Sequence, residues 1–128
     1  MRWIDKEIDT KELSPLAIAF IGDGVYEMMV REMLVCEANR SANELHKAAV
    51  KLVRAEAQAA AMDKLEPLLT EKEAAVFRRG RNAHTARNDA AYHRATGFDA
   101  LFGYLYLNGE TDRIKQLFSL CVERSDGV

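Results

Sequence analysis

The stretch Phe20-Ile21-Gly22-Asp23-Gly24-Val25-Tyr26-Glu27 sets one carboxylate between two glycines, inside a run that is otherwise largely apolar from Leu16 onward. Just upstream, Ser14-Pro15 reads as an N-cap and a first helical residue, so a helix is predicted from Pro15 to about Leu34 or Cys36. Its first part, residues 16–21, is apolar on every side and should be covered by the core or by a partner. An ionised carboxylate in such surroundings is costly unless a cation faces it. Each glycine lowers helix stability by roughly 1 kcal/mol relative to alanine, which makes sense where another backbone or a substrate must come close. Glu27 lies one turn further on and can point the same way as Asp23. Two readings follow: a ligand-binding acid, or an acid that pairs with a nearby arginine while the glycines ease helix packing.

The rest of the chain supports a single all-α domain over residues 1–128. Its length and 48% hydrophobic content suit one core. The two prolines, Pro15 and Pro67, fall where helices begin or are interrupted, and no alternating run is long enough for a strand. Ser41 with Glu44 forms a capping box for a long helix carrying Leu45, Ala48, Ala49, Leu52, Val53 and Met62, with Lys47, Lys51, Arg54 and Gln58 on its opposite face. Thr70 with Glu73 caps the next helix, residues 71–79, with Gly80 as its C′ residue. Residues 81–88 read as loop. A helix over about residues 96–107 ends at Asn108-Gly109, and a last one runs from about Thr111 to Val122. Cys36 and Cys121 have no metal-ligand or redox spacing, and no leader or apolar span is seen, so a soluble, cytoplasmic protein away from membranes is expected.

Asp99, in Gly97-Phe98-Asp99-Ala100-Leu101-Phe102-Gly103, repeats the pattern of an acid in an apolar helix with a glycine nearby. Two carboxylates brought together repel unless a cation lies between them, and hard oxygen donors favour magnesium, with manganese as the alternative. Asp99 reads equally as an acid near a helix N-terminus, favoured by the macrodipole. The net charge of −2 is unevenly placed: residues 78–94 hold five arginines against one acid, so this segment carries +4. Arg78, Arg79, Arg81, Asn82 and His84 are candidate phosphate contacts, with Lys51 and Arg54 as weaker ones; the bland reading is a solvated face. Metal-ligand spacing among the histidines, a Gly-rich phosphate loop and a nucleophile elbow are all missing, which removes the enzyme classes that depend on them.

Ala19-Phe20-Ile21-Gly22-Asp23-Gly24-Val25 resembles the ribonuclease III signature helix, and residues 98–107 resemble the second acidic helix of that family. With Asn43-Glu44-Leu45-His46 and Arg78-Arg79-Gly80-Arg81-Asn82-Ala83, the resemblance runs over about residues 13–120 and points to the short Mini-ribonuclease III branch, which lacks a double-stranded-RNA-binding domain. It implies a homodimer of helical domains that cleaves double-stranded RNA with magnesium, leaves 5′-phosphate and 3′-hydroxyl ends, and matures the stem of precursor 23S ribosomal RNA. A ribosomal protein is a candidate further partner. Asp23 falls on the catalytic, metal-binding aspartate and Phe20 on the aromatic that packs across the dimer axis, with Asp99 as the second catalytic and metal-binding acid. The chain departs from ribonuclease III at Leu16, Ala19 and Thr96, where acids are absent as in the Mini branch, and at Asp99, where both groups carry glutamate. That last change withdraws the carboxylate by on the order of 1 Å. A catalytically silent RNA-binding protein acting in ribosome assembly is the alternative that Asp99 favours. A helical protein-interaction module would use the apolar face of residues 16–21 but leaves the two acids without a role.

Overall fold

The computed structural model describes residues 2–83 and 86–122, and six α-helices account for most of them. They are α1 (Pro15–Glu37), α2 (Ala42–Val53), α3 (Ala55–Leu65), α4 (Glu71–Arg81), α5 (Ala90–Leu107) and α6 (Thr111–Cys121), with single 3-10 turns at Thr10–Glu12 and Glu66–Leu68. No strand occurs among the described residues, as the all-helical reading expects. Local signals set most starts. The Ser14 hydroxyl accepts from the Ala17 amide to open α1, and both capping boxes form, Ser41 with Glu44 and Thr70 with Glu73. Gly109, at φ +72°, makes the turn between α5 and α6 in a conformation that favours glycine.

Helix α5 is the centre of the domain, packed by α1, α3, α4 and α6. Its Phe98, Leu101, Phe102 and Leu105 are buried in the main core with Tyr26, Val30 and Leu34 of α1, Met62 and Leu65 of α3, and Leu117 of α6. The Tyr26 ring meets Phe98 edge-on at 4.8 Å and Phe102 at 5.3 Å. A helix surrounded in this way is apolar on all sides, which is why residues 95–105 show little amphipathic contrast.

The α1–α5 crossing is closer than ordinary side chains allow. A Cβ placed on Gly22 would sit 1.7 Å from the Asp99 carbonyl oxygen, and one on Gly103 would sit 2.0 Å from the Ile18 carbonyl oxygen. The predicted close approach is therefore real at Gly22. At Gly24 it is not met within the chain, because a Cβ there has no neighbour within 4 Å.

Three boundaries differ from expectation. The long helix over residues 42–62 is split at Arg54, whose φ −66° and ψ 156° are extended, so that α2 lies on α1 while α3 turns to face α5 and α6. This redirection moves Gln58 off the exposed face shared with Lys47 and Lys51 and buries it. Gly80 is no helix terminus. It lies inside α4, where its missing side chain lets Thr96, Gly97 and Ala100 approach, and the helix continues to Arg81. Helix α5 begins at Ala90, well before Thr96, because the Asp89 carboxylate caps it by accepting from the Tyr92 amide at 2.9 Å.

Gly22→Ala is expected to lower unfolding stability by about 3 kcal/mol or more, since backbone on backbone cannot yield. Gly24→Ala, which meets nothing within its own chain, should change stability by no more than about 1 kcal/mol. Urea unfolding of the two variants measures both; equal midpoints would mean that α1 and α5 do not approach this closely.

Candidate active site

Because Gly22 brings α1 against the backbone of α5 at Asp99, the residues beside this contact share one cleft of about 530 Å³. Asp23 and Asp99 line it, with Leu16, Ala19 and Phe20 from α1, Gln58 from α3, Tyr92 and Thr96 from α5, and Arg87 from the segment before α5. The two acids occupy unlike positions. Asp23 is open to solvent at the rim, whereas Asp99 is largely covered and its Oδ1 is buried without a hydrogen-bond partner. Asp23 is thus not the deeply buried charge that its apolar neighbours suggested, and no cation pairs with it among the described residues. Asp99 lies in the middle of α5, well away from its N-terminus, so a macrodipole role does not apply.

The electrostatics follow from these positions. Partial burial, then the charge of Glu27 one turn away, raises the Asp23 carboxyl above the ordinary carboxylate value. Glu27 itself is engaged by Arg31 at 2.6 Å. Burial pushes Asp99 up to about 8, the nearby Asp23 charge pushes in the same direction, and the Gln58 amide opposes both. Burial and the neighbouring acid thus favour the protonated form of Asp99 in the cation-free site, and a positive ion beside it would oppose that preference. The donors suit a small hard cation: two carboxylates, one with an orphaned buried oxygen. No set of three or more His, Cys, Asp or Glu side chains converges to hold a metal among the described residues, so other ligand positions would fall to water or substrate oxygens.

The candidate phosphate contacts separate into groups. Arg78, Arg79 and Asn82 are exposed and border a depression beside Pro15, at the N-terminal end of α1. Arg81 is half-buried, its guanidinium over the Phe77 ring at 5.5 Å and its Nε donating to Asn82 Oδ1 at 3.3 Å. Lys51 is exposed on α2, and Arg54 is exposed at the bend, between the cleft-lining Val53 and Ala55. His84 lies outside the described residues. Two arginines counted in the basic segment are engaged within the fold: Arg94 bonds Asp63 at 2.6 Å and Glu66 at 2.8 Å, and Arg87 bonds Asp89 at 2.8 Å and stacks on Tyr92 at 4.6 Å. Phe20, at 84% exposure, stands on the cleft wall. Gln58 and Tyr92 escaped the sequence reading as cleft residues; the first depends on the bend at Arg54 and the second on the early start of α5.

Two acids presented from crossing helices, with six α-helices and no strand among the described residues, fit a helical nuclease domain. The Ribonuclease III domain family model matches residues 16–110. A Mini-ribonuclease 3 from Thermoanaerobacter sp. (strain X514) is 45% identical over 126 residues, covering 91% of this chain and 89% of its own. A Mini-ribonuclease 3 from Streptococcus pneumoniae (strain ATCC BAA-255 / R6) is 38% identical over 127 residues, covering 94% and 99%. The chain belongs to the ribonuclease III family, in its Mini-ribonuclease 3 group, and is an endoribonuclease. The crystal structure of a Fusobacterium nucleatum protein shares the fold, with a TM-score of 0.82 at 24% identity over 92% of this chain and 98% of that one.

Asp99 is an acid whose folded value lies above its unfolded one, so the folded state holds a proton that the unfolded chain releases. Its contribution to stability is full below about pH 4 and is lost as pH rises through about 8. In EDTA, the melting temperature of the wild type should fall between pH 5 and 9 more steeply than that of Asp99→Asn. Parallel curves would mean that Asp99 ionises freely.

Proposed function

We propose that this endoribonuclease cuts double-stranded RNA as a homodimer, with Asp23 and Asp99 as catalytic acids that jointly hold a magnesium ion, or manganese in its place. The observation that carries this reading is the unpartnered, buried Asp99 Oδ1 beside a second carboxylate in an open cleft. Leaving such an atom unsatisfied is costly, and a hydrated divalent cation satisfies it. When bound, the cation supplies Lewis-acid stabilisation of the charge that builds on the phosphate oxygens. Asp23, at the rim, faces the arriving backbone, while Asp99 is fixed from behind by the packed α5. Arg78, Arg79, Arg81, Asn82 and His84, with Lys51 and Arg54 at the α2–α3 side, are the proposed phosphate contacts. Recognition by backbone and shape suits A-form duplex, whose deep groove side chains do not read.

Dimerisation is supported by the outer face of α1. Leu16, Phe20, Gly24 and Met28 recur at four-residue spacing, with Phe20 84% and Met28 63% exposed and open space over Gly24. Such a stripe fits a second copy of the same helix, and two subunits would present one acid pair to each strand. No helix among the described residues is long and apolar enough to cross a membrane. By resemblance to the Mini branch, the natural substrate is the stem of precursor 23S ribosomal RNA. The same resemblance gives 5′-phosphate and 3′-hydroxyl ends, a cytoplasmic setting and a ribosomal protein as further partner.

Purified protein incubated with a long RNA duplex should cleave it in magnesium and not in EDTA, and Asp23→Asn should abolish cleavage while retaining duplex binding in a gel-shift assay. Binding without cleavage by the wild type would favour a silent RNA-binding protein instead. Phe20→Asp is expected to halve the molar mass measured by light scattering; an unchanged mass would move the dimer interface elsewhere.

A further inference from the structure

Gln58 is a long polar residue on a face of α3 that is otherwise made of Ala61, Met62 and Leu65 and packs on α5 and α6. It is 2% exposed, yet it lines the cleft that holds Asp23 and Asp99. Its Nε2 and the Asp99 Oδ1 are both buried and both lack a completed hydrogen bond, although the amide is near enough to favour the charged form of Asp99. Methionine or leucine would fill the same space without desolvating an amide, so packing alone gives no reason for glutamine here. The two orphaned groups answer each other, and the carboxylate keeps further lone pairs open to a cation. One is a donor needing an acceptor, and the other belongs to a carboxyl that must be both charged and correctly turned to hold a cation.

We propose that Gln58 is a positioning residue for the active site: its amide donates to the Asp99 carboxylate and holds it turned toward Asp23 in the orientation a divalent cation requires. The inference rests on the proposed metal-dependent reading of the cleft. It assigns Gln58 no contact with RNA and none with the reacting atoms. The bend at Arg54 acquires a purpose, since it is what turns α3 so that residue 58 faces Asp99. The side chain of Asp99 is short, so a neighbour that fixes it has more effect than it would on a longer acid.

Manganese binding to the RNA-free protein, read by electron paramagnetic resonance, tests this without relying on activity. Gln58→Met should weaken manganese affinity by roughly tenfold or more and raise the magnesium concentration for half-maximal cleavage similarly, with KM for duplex unchanged and a cooperative thermal melt. In an Asp99→Glu background, where the longer acid reaches the cleft unaided, the same substitution should cost much less. Wild-type manganese affinity in Gln58→Met, an equal loss in both backgrounds, or a loss confined to KM would overturn the proposal. Should Gln58→Met fail to fold, Gln58→Asn, whose amide is withdrawn by one methylene, is titrated instead. An intermediate loss supports the proposal, and wild-type affinity overturns it. A wild-type protein that binds no manganese and leaves duplex uncut in magnesium would remove the metal-dependent reading and this inference together. Wild-type binding with an unaffected Gln58→Met removes the inference alone.

Discussion

The contact between α1 and α5 at Gly22 and Gly103 is the constraint from which the rest of the molecule follows. A helix interior gives up roughly 1 kcal/mol per glycine, and here the return is an approach in which carbonyl oxygens lie where Cβ atoms would be. Backbones this close fix the rotation of each helix about its own axis, because any turn would drive a larger neighbour into the gap. Tyr26, one turn beyond Gly22, then meets Phe98 and Phe102 in the core, while Asp23, next to Gly22, is carried to the edge of the contact. One packing decision therefore builds the core on one side and sets a carboxylate beside Asp99 on the other.

Elements fixed by local chemistry were legible in the sequence. Ser14-Pro15, Ser41 with Glu44, and Thr70 with Glu73 each satisfy orphan amides within a single turn, so their meaning does not depend on distant residues. What escaped was decided at long range. Nothing between Val50 and Gln58 breaks a helix by propensity, since the stretch holds neither glycine nor proline. The chain bends at Arg54 because α2 and α3 pack against different partners. Gly80 reads as a terminator from composition alone, but its role is to admit the backbone of α5. Asp23 and Asp99 were both visible as acids in apolar helices, yet which of them is buried depends on where their helices lie. Gln58 was misplaced for the same reason, and no local feature marks it.

Charge counting shows a similar division. The segment from Arg78 to Arg94 is basic in sequence, but the fold divides it by use. Arg94 reaches back to Asp63, Glu66 and the Ala59 carbonyl, tying α5 to α3 and the turn after it. Arg113 does the same between α6 and α4 through Glu73 at 2.8 Å. Burial pushes the Glu73 carboxyl upward, but the Arg113 and Thr70 hydrogen bonds outweigh it and hold the group below its usual value. Arg78 and Arg79 have exposed side chains on the last turn of α4, where positive charge also suits the helix dipole. A protein of net charge −2 can thus keep exposed positive charge at one helix end, while Asp63, Glu66 and Glu73 pair with the arginines that tie helices together.

The cleft is where the fold leaves a buried carboxylate oxygen without a partner. The buried acid Glu73 is matched, by Arg113 and Thr70. At Asp99 the match is left open, with a carboxyl that prefers its proton, an unpaired oxygen, an unpaired amide beside it and a second acid at the rim. Replacing Asp99 and Gln58 by apolar residues of similar volume would remove two desolvation costs, and the surrounding core would accommodate them. Local consistency of sequence and structure fails at this point alone among the buried acids described, and such failures are expected where function outweighs stability. The asymmetry also fits a division of labour. A fully buried pair of acids would hold a cation away from any substrate, and a fully exposed pair would hold it weakly in water of high dielectric. On the proposed metal-dependent reading, one covered acid and one open acid would give a fixed anchor together with a face that an RNA backbone can reach.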